Sequence, residues 1–73
     1  MRTVADQRGV TWICLELPEI PVEQRAVAET MPGDTVAIEC NSGAQRVIAL
    51  VPPGWDDNMD DARLTATISA FMH

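Results

Sequence analysis

The chain has 73 residues, 47% of them hydrophobic, and carries a net charge of −6 with no lysine. A chain of this length predicts a single domain, residues 1–73, whose small interior buries only about 60% of the unfolded surface. The five basic residues are arginines scattered along the sequence, so no basic stripe is available for phosphates. Direct binding to nucleic acid or to an anionic membrane is therefore disfavoured.

The N-terminal segment predicts a β-hairpin. Asp6–Gly9 has turn chemistry, with Gly9 able to adopt a positive φ. The following run, Val10–Leu17, is rich in β-branched and aromatic residues. Both faces of this run are largely apolar, which predicts a strand inside the sheet or packed on both sides.

A short helix is predicted in the middle of the chain. Pro18 ends the preceding strand, and Pro21 suits the first turn of a helix. The Pro32-Gly33 pair provides a stop signal. We therefore expect a helix from about Val22 to Thr30. Its apolar content is thin, and an extended excursion is the alternative.

A second hairpin is predicted around the sequence NSGA, which lies between two β-rich runs. Placing Glu39 opposite Arg46 and Ile38 opposite Val47 gives one ion pair and several apolar pairs across the ladder. A shorter, three-residue loop would pair Ile38 with Arg46, which is less favourable. The run VIALV, residues 47–51, is apolar on both faces and is typical of a central strand.

The run VPPGWDDNMDD, residues 51–61, predicts the end of this strand and the start of a helix. The two prolines cannot extend a β-ladder, so the strand should stop after Val51. Asp60 is a favourable N-cap, which places Met59 and Leu64 at the positions of a hydrophobic staple.

The C-terminal segment predicts an amphipathic helix, because its large apolar residues recur at helical spacing. We expect Leu64, Ile68 and Phe71 to be buried against sheet residues such as Ile38 and Ile48. The two cysteines, Cys14 and Cys40, lie in apolar strand-like runs and are expected to be buried free thiols of a reducing cytoplasm. No hydrophobic signal region or membrane-spanning run is present, which predicts a soluble cytoplasmic protein.

The aspartate-rich run is also the candidate partner-binding site. Its spacing lacks the ligand positions of a calcium loop, and negative charge at a helix start is already favourable, so we expect no metal or cofactor. The sequence has no glycine-rich phosphate loop, and its one histidine, His73, lies far from both cysteines in sequence, so no catalytic residues are predicted. For Trp12 and Trp55, a place in the core is the commoner case, and an exposed binding patch is the alternative. The candidate partner-binding residues are Trp55, Asp56, Asp57, Asp60 and Asp61.

Two short motifs carry a resemblance to a group of proteins. The chain resembles small bacterial proteins of unassigned role that have an Asp-x-x-Gly-x-x-Trp hairpin and a Pro-x-x-Trp element before a C-terminal helix. The resemblance implies a small sheet followed by a helix, and it brings no active residues. The matching positions are Asp6, Gly9, Trp12, Arg46, Pro52 and Trp55.

These patterns predict an α+β fold, with a small antiparallel sheet of about four strands, a C-terminal amphipathic helix on one face and a short middle helix. A small core, a high apolar fraction and sheet edges without lysine or internal proline favour self-association. The functional hypothesis is a small non-catalytic interaction or regulatory module acting as a homodimer. The alternative is an acidic polyanion mimic that blocks the basic site of a nucleic-acid-binding protein.

Overall fold

The computed structural model describes residues 1–72; His73 lies outside the described residues. Four strands form one antiparallel sheet in the order β1-β2-β3-β4, which confirms the predicted α+β fold. A 3₁₀ turn at Val22–Gln24 leads into a short helix, as predicted for the middle of the chain. The elements are β1 (Arg2–Ala5), β2 (Thr11–Glu16), α1 (Arg25–Glu29), β3 (Val36–Asn41), β4 (Arg46–Val51), α2 (Trp55–Asn58) and α3 (Asp61–Ala70).

The helix α3 covers one face of the sheet and contacts β4 and β1. Leu64 and Ile68 are 0% and 1% exposed, as expected, whereas Phe71 follows the last turn and is only half-buried. The expected packing partner Ile38 is buried in the same cluster. The residues of this core are Val4, Trp12, Cys14, Ile38, Cys40, Val47, Ala49, Val51, Trp55, Met59, Leu64 and Ile68.

The opposite face of the sheet is covered over only half of its width. Ile48 pairs with Glu39, so both point to this second face, and the expectation that Ile48 packs against α3 is wrong. Ala37 and Leu50 also pair on this side and are each 1% exposed. The cover comes from the connection between β2 and β3, residues 17–35, in which the Gln24 side chain donates a hydrogen bond to the Ile48 carbonyl at 2.7 Å.

The strand β4 is an edge strand, not the central strand that its composition suggested. It is apolar on both sides because α3 packs on one side and the 17–35 connection on the other. The predicted pairing of β3 with β4 is also wrong, since Asn41 lies opposite Arg46 and Glu39 lies opposite Ile48. The true pairing is shifted by two residues, which keeps together on one face the residues that the predicted pairing placed together.

The two hairpin loops and the helix starts follow local sequence chemistry. Gly9 has a φ of +80°, as expected for the first turn. The strand β4 ends at Val51, immediately before the two prolines, as predicted. The single turn α2 was not predicted. It begins after Gly54, whose φ of +81° favours glycine and where a Cβ atom would lie 2.7 Å from the Asn58 Nδ2.

Candidate partner-binding surfaces

The aspartates of α2 and of the start of α3 form an acidic corner, Asp56, Asp57, Asp60 and Asp61, and two of them have structural partners. The Asp60 Oδ1 accepts a hydrogen bond from the Arg63 backbone N–H at 2.7 Å, which confirms the predicted N-cap. Asp61 forms an ion pair with Arg2 at 2.8 Å. These contacts begin α3 and fasten it to the first strand.

Arg2 connects the N-terminal strand to both short helices. Besides its ion pair with Asp61, its guanidinium donates to the backbone carbonyls of Trp55 at 3.0 Å and Asp56 at 3.3 Å. The Arg2 side chain is 16% exposed, so this contact is partly shielded from solvent. One arginine thus neutralises part of the acidic corner and holds α2 against the sheet.

The remaining carboxylates of the acidic corner are presented to solvent. Asp56 and Asp57 are exposed, and within residues 1–72 neither side chain makes a hydrogen bond or ion pair. Both lie in the first turn of α2. Among the described residues, no group of three or more histidine, cysteine, aspartate or glutamate side chains is arranged to hold a metal ion. This corner therefore offers two free negative charges at its surface.

Trp55 lies in the core and not at the surface of this corner. It is 3% exposed, and its indole Nε1 donates to the Glu16 Oε1 at 3.0 Å. A buried indole that satisfies its N–H on a strand carboxylate is a typical structural arrangement. Of the candidate binding residues, Trp55 thus supports the corner from beneath, and its role in binding a partner stays a prediction.

The Asp-x-x-Gly-x-x-Trp motif is a hydrogen-bonded turn. The Asp6 carboxylate accepts from the backbone N–H groups of Arg8 at 2.9 Å and Val10 at 3.0 Å, and from the Trp12 Nε1 at 3.2 Å. The Val10 N–H, followed by the weaker contributions of Trp12 and Arg8, lowers the pKa of Asp6 against the opposing effect of burial. The three motif residues therefore fix the first hairpin and orient the buried Trp12.

The uncovered half of the second sheet face is an apolar surface that the sequence pattern did not single out. We call it the open face. Within it, Ile13 is 45% exposed and Leu15 is 48% exposed, although both lie in the middle of the sheet. Alternate residues of a strand point the same way, about 7 Å apart, so these two side chains are adjacent. The open face consists of Thr3, Ala5, Thr11, Ile13 and Leu15, all exposed and none charged.

An ion pair between one basic and one acidic side chain lies at the border of the open face. Arg46 Nε lies 3.1 Å from Glu39 Oε1, and the two side chains are 59% and 29% exposed. The Arg46 guanidinium lowers the pKa of Glu39, and Glu39 raises that of Arg46. The predicted ion pair therefore forms, but as a diagonal contact between two rungs of the ladder that lie two residues apart on the same face.

Comparison with models of known protein families, with curated proteins and with solved structures gave no match. Within residues 1–72, no helix has the length and apolar character needed to cross a bilayer. The open face and the acidic corner lie on opposite sides of the sheet.

Proposed function

We propose that the protein is a small non-catalytic interaction or regulatory module that acts as a homodimer, with the open faces of two copies packed against each other. The observation that carries this proposal is the exposure of Ile13 and Leu15 on a face whose other half is partly covered by the 17–35 connection. Adjacent branched aliphatic side chains in the interior of a sheet are a favourable contact for another apolar surface.

The electrostatics of the open face support a second copy as its occupant. The chain has a net charge of −6, which opposes self-association in general. None of the five open-face residues is charged, and the acidic corner lies across the sheet on the α3 side, so packing of two open faces brings none of its four aspartates together. At its border, Arg46 of one copy can face Glu39 of the other across a two-fold axis, because such an interface is self-complementary.

Face-to-face packing also fits better than pairing of the exposed β1 edges. Thr3 and Ala5 point their backbone groups outward, because Asp6 and Val10 form a hydrogen-bonded pair and such pairs alternate along the ladder. An edge-to-edge dimer would satisfy these groups but would leave Ile13 and Leu15 in water. Packing of the two open faces removes both side chains from water.

The dimer leaves two copies of the acidic corner at the outside, where Asp56 and Asp57 are free to meet a basic protein partner. Catalysis is not favoured, because the shifted titratable groups of the described chain have structural partners. The Asp6 carboxylate belongs to the first turn, Glu39 is paired with Arg46, and the two thiols face each other in the core.

The dimer is tested by light scattering coupled to size exclusion on the wild type and on the double variant Ile13→Glu/Leu15→Glu. We expect a dimer for the wild type at micromolar concentration and a folded monomer for the variant, checked by circular dichroism. Val22→Glu/Val27→Glu is the matched control, because Val22 and Val27 are 73% and 47% exposed on the 17–35 connection and the double substitution introduces the same charge elsewhere. A wild type that is strictly monomeric at micromolar concentration contradicts the proposal.

The polyanion mimic remains the second hypothesis and predicts a different result. Capture of basic nucleic-acid-binding proteins from the native lysate, lost at moderate salt and on replacing Asp56 and Asp57 by asparagine, would favour mimicry. Capture of one partner that resists salt would favour the module. The module is preferred because Asp60 and Asp61 are already engaged within the chain, which leaves few free charges for an extended mimic.

A further inference from the structure

The two cysteines lie directly opposite each other in the sheet, although they are separated by the long 17–35 connection. Cys14 on β2 pairs with Cys40 on β3 in the strand register. Both side chains are 0% exposed and belong to the core beneath α3. Both are free thiols, as the sequence predicted. Their juxtaposition depends on a pairing between distant strands that the sequence pattern did not reveal.

The position of this pair in the ladder suits a cross-strand disulfide. Leu17 donates its N–H to the Ala37 carbonyl at 2.8 Å, which makes residues 17 and 37 a hydrogen-bonded pair. Hydrogen-bonded and non-hydrogen-bonded pairs alternate, so Cys14 and Cys40, three rungs away, form a non-hydrogen-bonded pair. Such pairs have Cα atoms about 4.5 Å apart, inside the range of about 4.4–6.8 Å that a disulfide requires.

We propose that Cys14 and Cys40 are a redox-active dithiol that closes into an intramolecular disulfide when the protein meets a small-molecule disulfide such as oxidised glutathione. The pairing of the strands already holds the two Cβ atoms on the same face, so bond formation needs no rearrangement of the sheet. The reagent reaches the buried thiols during transient opening of the structure, since local opening is common in small domains.

The chemistry is thiol–disulfide exchange in two steps, through a mixed disulfide between Cys14 and the reagent. The Cys14 thiolate attacks one sulfur of the reagent, forms a mixed disulfide and releases one thiolate. The Cys40 thiol then passes its proton to the first released thiolate and attacks the Cys14 sulfur. This step forms the Cys14–Cys40 bond, breaks the mixed disulfide and releases the second thiolate, which takes up the proton that Cys14 lost to solvent. Two protein thiols are oxidised and one small disulfide is reduced to two thiols.

The environment favours Cys14 as the first nucleophile. The Cys40 thiol faces Cys14 as a hydrogen-bond donor and lowers its pKa, burial acts in the opposite direction, and the positive charge of Arg2 lowers it further. The same contact with Cys14, together with burial, raises the pKa of Cys40. The thiolate form is the nucleophile in exchange, so the reaction should begin at Cys14.

The experiment incubates the full chain with oxidised and reduced glutathione at a series of ratios, followed by acid quenching and mass spectrometry. We expect a product lighter than the dithiol by two hydrogens, without bound glutathione, and reversible by dithiothreitol. Proteolysis after blocking of free thiols should give one peptide pair joined through Cys14 and Cys40. The oxidised chain should melt about 10 °C or more above the reduced chain, because the bond closes a long loop between residues 14 and 40 of the unfolded chain.

Cys14→Ala and Cys40→Ala are matched controls that should lose both the hydrogen-deficient product and the rise in Tm. Three results would overturn the proposal: thiols that stay reduced at every ratio, a product that retains glutathione or links two copies, or an oxidised wild type that melts below the reduced one. Because the peptide map and the melting shift are measured on the wild type, the outcome does not depend on the folding of either variant.

Discussion

The two faces of β2 have similar composition but opposite surroundings. Trp12 and Cys14 point toward α3 and are 1% and 0% exposed, whereas Ile13 and Leu15 point the other way and are 45% and 48% exposed. Apolar residues are therefore present on both sides, and only one side has a cover within residues 1–72. The difference shows what the apolar content of a strand can predict. It predicts that both faces are favourable packing surfaces, but not whether the covering surface belongs to the same chain.

The largest expected effect is the loss of stability when a leucine side chain is truncated in the α3 core, compared with the same truncation on the open face. Leu64→Ala should reduce the free energy of unfolding by about 3 kcal/mol or more, because Leu64 is 0% exposed in the α3 core and its truncation leaves a cavity. Leu15→Ala removes the same atoms from the open face and should cost below about 1 kcal/mol in the dissociated chain. Urea unfolding at low protein concentration measures both values.

The same pair of variants sharpens the dimer proposal when the concentration is raised. A second copy on the open face would bury Leu15, so the cost of Leu15→Ala should grow with protein concentration while that of Leu64→Ala stays larger throughout. Equal costs for the two variants in the dilute chain would contradict the assignment of α3 to the main core. Leu50→Ala, at a side chain 1% exposed under the 17–35 connection, should resemble Leu64→Ala.

A smaller effect is expected at the turn that orients Trp12 toward the α3 side. The Asp6 pKa is lowered in the folded protein, chiefly by the Val10 N–H, so its ionised form favours folding. A group with a depressed folded pKa contributes stability above its unfolded pKa, near 4, and this contribution is lost as the pH falls through the lower folded value. Tm should therefore decrease as the pH falls below about 4, measured by thermal melts monitored by circular dichroism.

Asp6→Asn isolates this contribution. The variant should melt roughly 5 °C or more below the wild type at pH 7, because an amide cannot replace the charged acceptor for all three N–H groups. Its Tm should also depend less on pH in the acidic range. Asp34→Asn is the control, since Asp34 is exposed and its side chain makes no hydrogen bond in the described structure. Parallel pH profiles for Asp6→Asn and the wild type would contradict the role of this carboxylate.

Local chemistry made much of the fold predictable. The turn at Asp6–Gly9, the end of β4 before its prolines, and the cap at Asp60 each depend on residues within a few positions of one another. The acidic corner could likewise be located, although the burial of Trp55 and the ion pair of Asp61 with Arg2 depend on packing between the two ends of the chain.

The register of the second hairpin and the pairing of β2 with β3 could not be predicted from the sequence in the same way. A shift of two residues between β3 and β4 keeps every side chain on its face, so the apolar pattern could not distinguish the registers. Hydrogen bonds within the loop fix the observed register. The Asn41 Oδ1 accepts from the Gly43 N–H at 2.7 Å, and the Ser42 backbone N–H donates to the Gln45 carbonyl. The juxtaposition of Cys14 and Cys40 depends on the β2–β3 pairing, for which the intervening connection gives no sequence signal.

The smallest expected effect concerns the ion pair at the border of the open face. Glu39 and Arg46 are joined diagonally at 3.1 Å, and the exposure of both side chains allows solvent and salt to screen the attraction. Glu39→Gln should therefore change Tm by only about 2 °C in the dissociated chain, with the difference shrinking as salt is added.

The contribution of this ion pair to dimerisation can be larger, because in Glu39→Gln each Arg46 would also lose the Glu39 of the second copy. Sedimentation equilibrium of Glu39→Gln, Arg46→Gln and the charge-swapped double variant Glu39→Arg/Arg46→Glu separates these effects. We expect each single variant to weaken the dimer and the swapped pair to restore it, because exchange of the signs preserves their complementarity across a two-fold axis. Equal dimer affinity for all three variants and the wild type would place this ion pair outside the interface.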